Sequence, residues 1–411
     1  MRYMVWFVIL LAVLFGCKGK GKDEMELTVW VMGAEGEKIK DMIISFEKEN
    51  SDISIKVQSI PWSDAHMKLL TSVIGGTTPD ICQLGTTWVP EFASMDALAC
   101  LDGYLKRSDV VKEENFFEGS WKANAIGNRV YGIPWYVDTR VLFYRRDILN
   151  EVGYDHPPTS WEELKSVCRA LVKDVDQDGI PERYAINLPT SDAFIILMFV
   201  WQAGGDIFSS DFNAATFNNP KAREAFEFYC SFFDEGLAPI GGTADIDLFH
   251  AFKTGFLPMF ISGPWMIELL HEQVPEIDGR WAVATLPKKE TGISFIGGCN
   301  LSIFKNSKNK DAAWRFIEYM SEVENQIRWF ELTGDLPAVK TAWDQGVLNV
   351  PIIATFGKQL EDARPSPPIP KWEEIRDKIE VYLEEVVYKK RSMDEALELL
   401  QREVEEILSR R

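Results

Sequence analysis

Residues 27–57 constrain the fold more than any other stretch, because the hydrophobic period switches twice within it. Residues 27–31 form an apolar, β-rich run, residues 36–49 set Ile39, Met42, Ile43 and Phe46 on one helical face, and residues 53–57 are extended again. A strand, an amphipathic helix and a second strand make a βαβ unit, whose crossover helix covers one face of a parallel sheet. A helix over 65–74 and a strand over 80–84 extend the pattern, so the N-terminal part reads as an α/β sheet. Residues 130–135 and 140–145 are further extended runs flanking a polar turn around Asp138, where the chain is expected to cross to a second lobe.

The remainder has room for that lobe. A chain of 411 residues with 46% hydrophobic content buries a large core, and at about 150 residues per domain it suggests two lobes. After Pro157-Pro158, Thr159-Ser160-Trp161-Glu162-Glu163 offers two overlapping capping boxes, and Leu164, Val167, Cys168 and Leu171 stripe the helix they open. Residues 193–201 read as a short buried segment. Residues 311–330 predict one long helix, with Phe316, Ile317, Met320, Ile327 and Phe330 at helical spacing. Trp372, Ile375, Ile379, Tyr382 and Val386 line another helix, and a capping box at Ser392–Glu395 opens the last. The Pro-rich stretch 365–370 suits a rigid loop.

The N-terminus predicts export from the cytoplasm. Arg2, an apolar stretch over 3–15 and Gly16-Cys17 resemble a bacterial lipoprotein signal, in which cleavage precedes a lipidated cysteine. Residues 1–16 would be the signal peptide, and Cys17 with the polar residues to 26 a lipid-bearing tether; a plain signal peptide or membrane anchor is the alternative. A net charge of −19 argues against nucleic acid and against docking on anionic lipid, so membrane attachment is expected through the lipid alone. Cys82, Cys100, Cys168, Cys230 and Cys299 remain, an odd number at wide spacing without CxxC. They read as small hydrophobes rather than zinc ligands.

No catalytic signature appears. The four histidines, His66, His156, His250 and His271, fall in no HExxH or Cys/His spacing, and the chain lacks GxSxG, GxGxxG after a strand, and a P-loop. Carboxylates abound, so glycoside hydrolysis stays formally open, although abundance does not make a catalytic pair. Asp174-Val175-Asp176-Gln177-Asp178-Gly179 repeats half a calcium loop, with Ala185 where the bidentate Glu of a full EF-hand belongs. It is either a partial structural calcium site or an Asp/Gly-rich surface turn. No metal or cofactor is expected in the functional site.

The unusual resource is aromatic: 14 Trp, 11 Tyr and 25 Phe. Trp30 ends a strand, Trp62 follows a proline, Trp88 follows a threonine pair and Trp265 follows Gly263-Pro264. Indole faces stack on the C–H faces of sugars while neighbouring polar side chains bond the hydroxyls. Thr78-Pro79-Asp80-Ile81, the run from Asp138 to Arg145, Pro158–Leu164, Gly263-Pro264-Trp265, Gly297-Gly298 before Ile303, Thr333–Ala338 and Ala363-Arg364-Pro365 then follow in order. In these segments the chain resembles the bacterial extracellular solute-binding proteins of the sugar-binding, maltodextrin-binding-like class that serve ABC importers.

That resemblance implies an α/β fold of the periplasmic-binding-protein-like type II. Two α/β lobes, 27–137 with 289–338 and 138–288 with 339–411, would be joined by a multi-crossing hinge around a ligand cleft. It implies a non-enzymatic, monomeric carbohydrate receptor whose partners are the ligand and the transmembrane permease subunits. A non-sugar solute such as a polyol phosphate or peptide is the alternative. Carried over residue by residue, the ligand contacts would be Trp30, Glu35, Trp88, Tyr136, Asp138, Trp265 and Arg364, with Trp62, Trp201, Asn300 and Asp335 as weaker candidates. Two departures from the family pattern, Gly85 after the Pro-Asp-Ile segment and Cys299 after Gly297-Gly298, imply sugar contacts that differ from the maltodextrin type.

Overall fold

In the computed structural model the described residues are 25–176, 181–241 and 247–410. Cys17, its signal and most of the tether lie outside them, as do Gln177, Asp178 and Gly179 of the half calcium loop. Twelve strands occur among the described residues: β1 (Met25–Met32), β2 (Ile53–Ile60), β3 (Ile81–Gly85), β4 (Ala125–Ile126), β5 (Arg129–Val130), β6 (Ile133–Thr139), β7 (Val141–Arg145), β8 (Met259–Ser262), β9 (Trp281–Ala284), β10 (Ser294–Ile303), β11 (Leu336–Pro337) and β12 (Ala363–Arg364).

The first sheet runs β11-β6-β10-β3-β1-β2, with β12 paired to β10. The βαβ unit is present: β1 pairs in parallel with β2 from Met25 opposite Ile53 to Met32 opposite Ile60. Between them the helix Glu35–Glu49 buries Ile39, Met42, Ile43 and Phe46, the face its spacing predicted. β10 runs antiparallel to both β3 and β6. The second sheet, β8-β7-β9, is antiparallel throughout.

The chain passes from one sheet to the other at Arg140, between β6 and β7, and returns between β9 and β10. These crossings are tied together. Ser294 donates its hydroxyl to the Arg140 carbonyl at 2.9 Å, and the Thr139 hydroxyl donates to the Phe295 carbonyl at 2.7 Å. Alternate residues of β7 enter different cores: Leu142 and Tyr144 join the helices Trp161–Leu171, Ala193–Gln202 and Pro220–Asp234. Val141 and Phe143 join a second cluster, in which Phe143 meets Phe260 of β8, Trp281 of β9 and Phe356 of the helix Pro351–Leu360. That alternation follows from the two-residue period of a strand buried on both faces.

Two expectations are corrected. Asp138 lies not in a turn but inside β6, opposite Gly297 of β10, because Tyr136, Val137 and Thr139 around it are all buried. The predicted helix over 311–330 is two helices, Lys310–Ser321 and Val323–Thr333, separated at Glu322 with ψ 143°. Side chains of the second helix satisfy the last carbonyls of the first: Asn325 donates to Tyr319 O at 2.8 Å and Gln326 to Met320 O at 2.8 Å. Gln326 also donates to Trp135 O and accepts from Ala338 N, so the break fixes the segment that follows it.

Of the two capping boxes expected at 159–163 neither closes reciprocally, although Ser160 does cap the helix, and the box expected at 392–395 is present. Ser160 accepts from Glu163 N, whose carboxylate accepts from the backbone and hydroxyl of Thr159. Ser392 and Glu395 form a reciprocal box at the head of Met393–Ser409. All five cysteines of the described residues are free, four of them buried and Cys100 exposed. No described helix is long and apolar enough to cross a membrane.

Candidate functional site

A cavity of ≈ 440 Å³ lies where the two sheets meet, with the strand pair β6/β10 as its floor. Glycines make that floor possible. A side chain at Gly298, whose φ is +118°, would sit 2.2 Å from the Tyr136 carbonyl, and one at Gly297 would meet the Phe295 ring at 2.5 Å. The glycine pair lets β10 lie against β6 and leaves Asp138 and Phe295 facing the opening.

One wall is polar and belongs to the first sheet. Glu35 heads the helix that follows β1, and its carboxylate accepts from the Tyr136 hydroxyl at 2.8 Å. Tyr136 accepts in turn from Gln83 at 3.0 Å, and Gln83 accepts from Met32 N at 2.7 Å. Burial, with Cys299, Asp335 and Glu35 nearby, pushes the Tyr136 hydroxyl well above its ordinary pKa, so it stays a neutral donor. Asp335 lines the same cavity from the loop after Val323–Thr333; burial and then the Glu35 charge push its pKa up to about 8. Asp335 is therefore a protonated acid at neutral pH.

Above this wall Trp62 and Trp88 each begin a helix, their rings 5.7 Å apart. His66 stands 5.3 Å from Trp88, and a 2.6 Å bond to Glu91 raises its pKa against partial burial.

The facing wall is aromatic. Phe194, at the head of the buried helix Ala193–Gln202, meets Phe295 at 4.5 Å. Trp265 follows Pro264 into the helix Trp265–Gln273, and its ring folds back over Gly263, where a Cβ would lie 2.1 Å from it. It remains 42% exposed. Arg140 donates to Asp138 Oδ1 at 2.7 Å and lays its guanidinium 4.6 Å from the Trp265 ring. Arg376, paired with Glu373 at 2.6 Å, supplies a cation to the rim.

Of the residues singled out in the sequence, Glu35, Trp62, Trp88, Tyr136, Asp138, Trp265 and Asp335 converge on this cavity. Four lie elsewhere. Trp30 lines a shallow groove with Met67, under the ammonium of Lys68 at 5.1 Å. Trp201 is buried in the second-lobe core with Arg364 stacked on it at 4.8 Å, and Arg364 donates to Asp206 at 2.7 Å. Asn300 is buried in a bridge to Asn124, Leu84 O and Thr86. Gly85 and Cys299, the two departures, both line the cavity.

Sequence reasoning missed Thr86, Thr87, Phe194, Phe295 and Arg376. The threonines and Phe295 adjoin motifs that were read, whereas Phe194 and Arg376 carry no local signal. Among the described residues no group of three His, Cys, Asp or Glu side chains is placed to hold a metal ion.

Residues 31–327 match the family model for bacterial extracellular solute-binding proteins. The chain belongs to that family. This solute-binding protein is similar to the galactooligosaccharide-binding protein of Bacillus subtilis, 26% identical over 91% of this chain and 87% of that one. It is also similar in structure to the sugar-binding protein MalE of Xanthomonas citri, with TM-score 0.87 and 36% identity over 94% and 98% of the two chains. A solute-binding protein of Thermotoga lettingae bound with α-D-tagatose superposes with TM-score 0.82 and 25% identity, over 94% and 100% of the chains. The fold is the two-lobed type II arrangement of periplasmic binding proteins, with the cavity between the lobes.

Proposed function

We propose that this solute-binding protein is the substrate-binding component of an ABC importer and takes a carbohydrate into the cavity between its lobes. The observation that carries the reading is the pairing of walls: indole faces of Trp62, Trp88 and Trp265 beside the hydrogen-bonding groups of Glu35, Tyr136, Asp138 and Asp335. A sugar ring presents an apolar face and a hydroxyl edge, and these walls answer both. The protein binds and releases; it catalyses nothing. One lobe comprises 27–137 and 289–338, the other 138–288 and 339–411. Ligand held by both lobes favours the closed form through contacts the open form lacks, and closure is what permease subunits read. Lipid on Cys17 would keep the monomeric receptor at the outer face of the membrane, raising its effective concentration beside the importer.

The test is a screen of the purified protein against mono- and oligosaccharides by thermal shift and tryptophan fluorescence. A sugar at a hundredfold its Kd stabilises the folded state by about 2.7 kcal/mol, a readily measured rise in Tm. A library in which no sugar moves either signal would overturn the reading.

A further inference from the structure

Arg140 stands at the crossing between β6 and β7, outside the cavity lining, yet it touches both of the lining groups that face each other there. Its Nη1 donates to Asp138 Oδ1 at 2.7 Å, and both side chains are only 18% exposed. Its guanidinium lies 4.6 Å from the centre of the Trp265 ring and 5.9 Å from that of Phe295. Its backbone is pinned: the amide donates to Ser294 Oγ at 3.3 Å and the carbonyl accepts from that hydroxyl at 2.9 Å. Asp192, buried as the cap of the helix that carries Phe194, also feels its charge.

We propose that Arg140 is a positioning residue for the ligand: one guanidinium, fixed at the lobe crossing, sets the Asp138 carboxylate and the Trp265 ring as a single rigid unit. The chemistry suits the task. A planar guanidinium bonds a carboxylate in its plane and stacks an aromatic ring on its face, which an ammonium cannot do with the same geometry. The bond to Oδ1 leaves Asp138 Oδ2 for a hydroxyl, and Trp265 beside the cation still lines the cavity with part of its ring exposed. The charge of Asp138 is balanced, so this part of the wall favours an uncharged solute. A ligand meets groups already ordered and loses less entropy on binding.

The inference rests on the carbohydrate reading, and its test separates the two. Acrylamide quenching of Trp265, taken as the difference between each protein and its Trp265→Phe counterpart, is measured without sugar. Affinity is measured by calorimetry with maltotriose as the first probe and then each sugar of the screen. Arg140→Met is expected to raise the quenching of Trp265 and to weaken sugar binding by about tenfold or more, the scale of one charge-assisted hydrogen bond. Arg140→Lys is expected to keep a Tm near that of the wild type while recovering only part of either signal. If Arg140→Met leaves the Trp265 signal unchanged, or if lysine restores both signals fully, the positioning role is overturned. A protein that ignores every sugar breaks the carbohydrate reading instead, and the quenching of Trp265 still decides the role of Arg140.

Discussion

The two walls of the cavity hold their groups by different means. On the first-lobe side, Glu35, Tyr136 and Gln83 form a hydrogen-bonded chain that ends on the backbone of β1. On the facing wall, Trp265 and Phe194, with Phe295 of β10 against them, are held by ring contacts and by the guanidinium of Arg140. A network of directional bonds fixes where hydroxyls are read, and a stack of rings fixes a plane on which a sugar face can slide. For the proposed sugar, the first wall would set orientation, and the rings of the second wall would add contact area to that of Trp62 and Trp88.

The sharpest way to break both walls at once is through the floor they share. Gly298→Val places a branched side chain at φ +118° against a backbone carbonyl. It is expected to destabilise the fold by roughly 3 kcal/mol, lowering Tm in calorimetry and abolishing sugar binding. Trp265→Ala removes only the aromatic plane. Affinity is expected to fall by about ten- to a hundredfold, from roughly 1.5–3 kcal/mol of lost contact, with little change in Tm because the ring is already half exposed.

The polar wall is tested through its buried acid. Asp335 holds its proton up to a pH of about 8 in the folded protein, whereas its ordinary pKa is 3.8. Between those values the folded state binds more protons than the unfolded chain, so stability falls as pH rises. Asp335→Asn removes that dependence. The variant is expected to match the wild type near pH 4 and to exceed it by a margin that grows up to pH 8, read as the difference in Tm across a pH series. A margin that stays flat would mean Asp335 is not a protonated acid.

The smallest expected effect is a control on the boundary of the site. Trp30 lies in the separate groove under Lys68. Trp30→Phe is expected to leave sugar affinity within about 0.5 kcal/mol of the wild type, as for a change remote from the ligand. A larger loss would extend the polar wall beyond the cavity.

Where periodicity and capping act locally, the sequence was legible. The helix Glu35–Glu49 buries the face its spacing predicted, and Ser392 with Glu395 opens the last helix as expected. Helical spacing ran on through Glu322, however, because nothing local reveals that Asn325 and Gln326 turn back to bond the preceding carbonyls. The same limit applies at the site. Trp62, Trp88 and Trp265 announce themselves in turn-like contexts, while Arg376 gains its meaning from the cavity it helps to line and Arg140 from a ring far away in the chain. Trp30, Trp201, Asn300 and Arg364 share residue types with ligand contacts, and only tertiary packing separates them from the cavity.

The bonds that tie Ser294 to Arg140, and Thr139 to Phe295, make the two neighbouring crossings one ribbon instead of two independent threads. A two-stranded ribbon flexes across its flat face more readily than it shears along its length, since shearing would break the bonds between strands. In the proposed closure, this ribbon would resist shear between the two crossings and leave bending across its face as the easier motion. Trp265 and Asp138, mounted beside that ribbon, would travel through the bend with their mutual spacing unchanged.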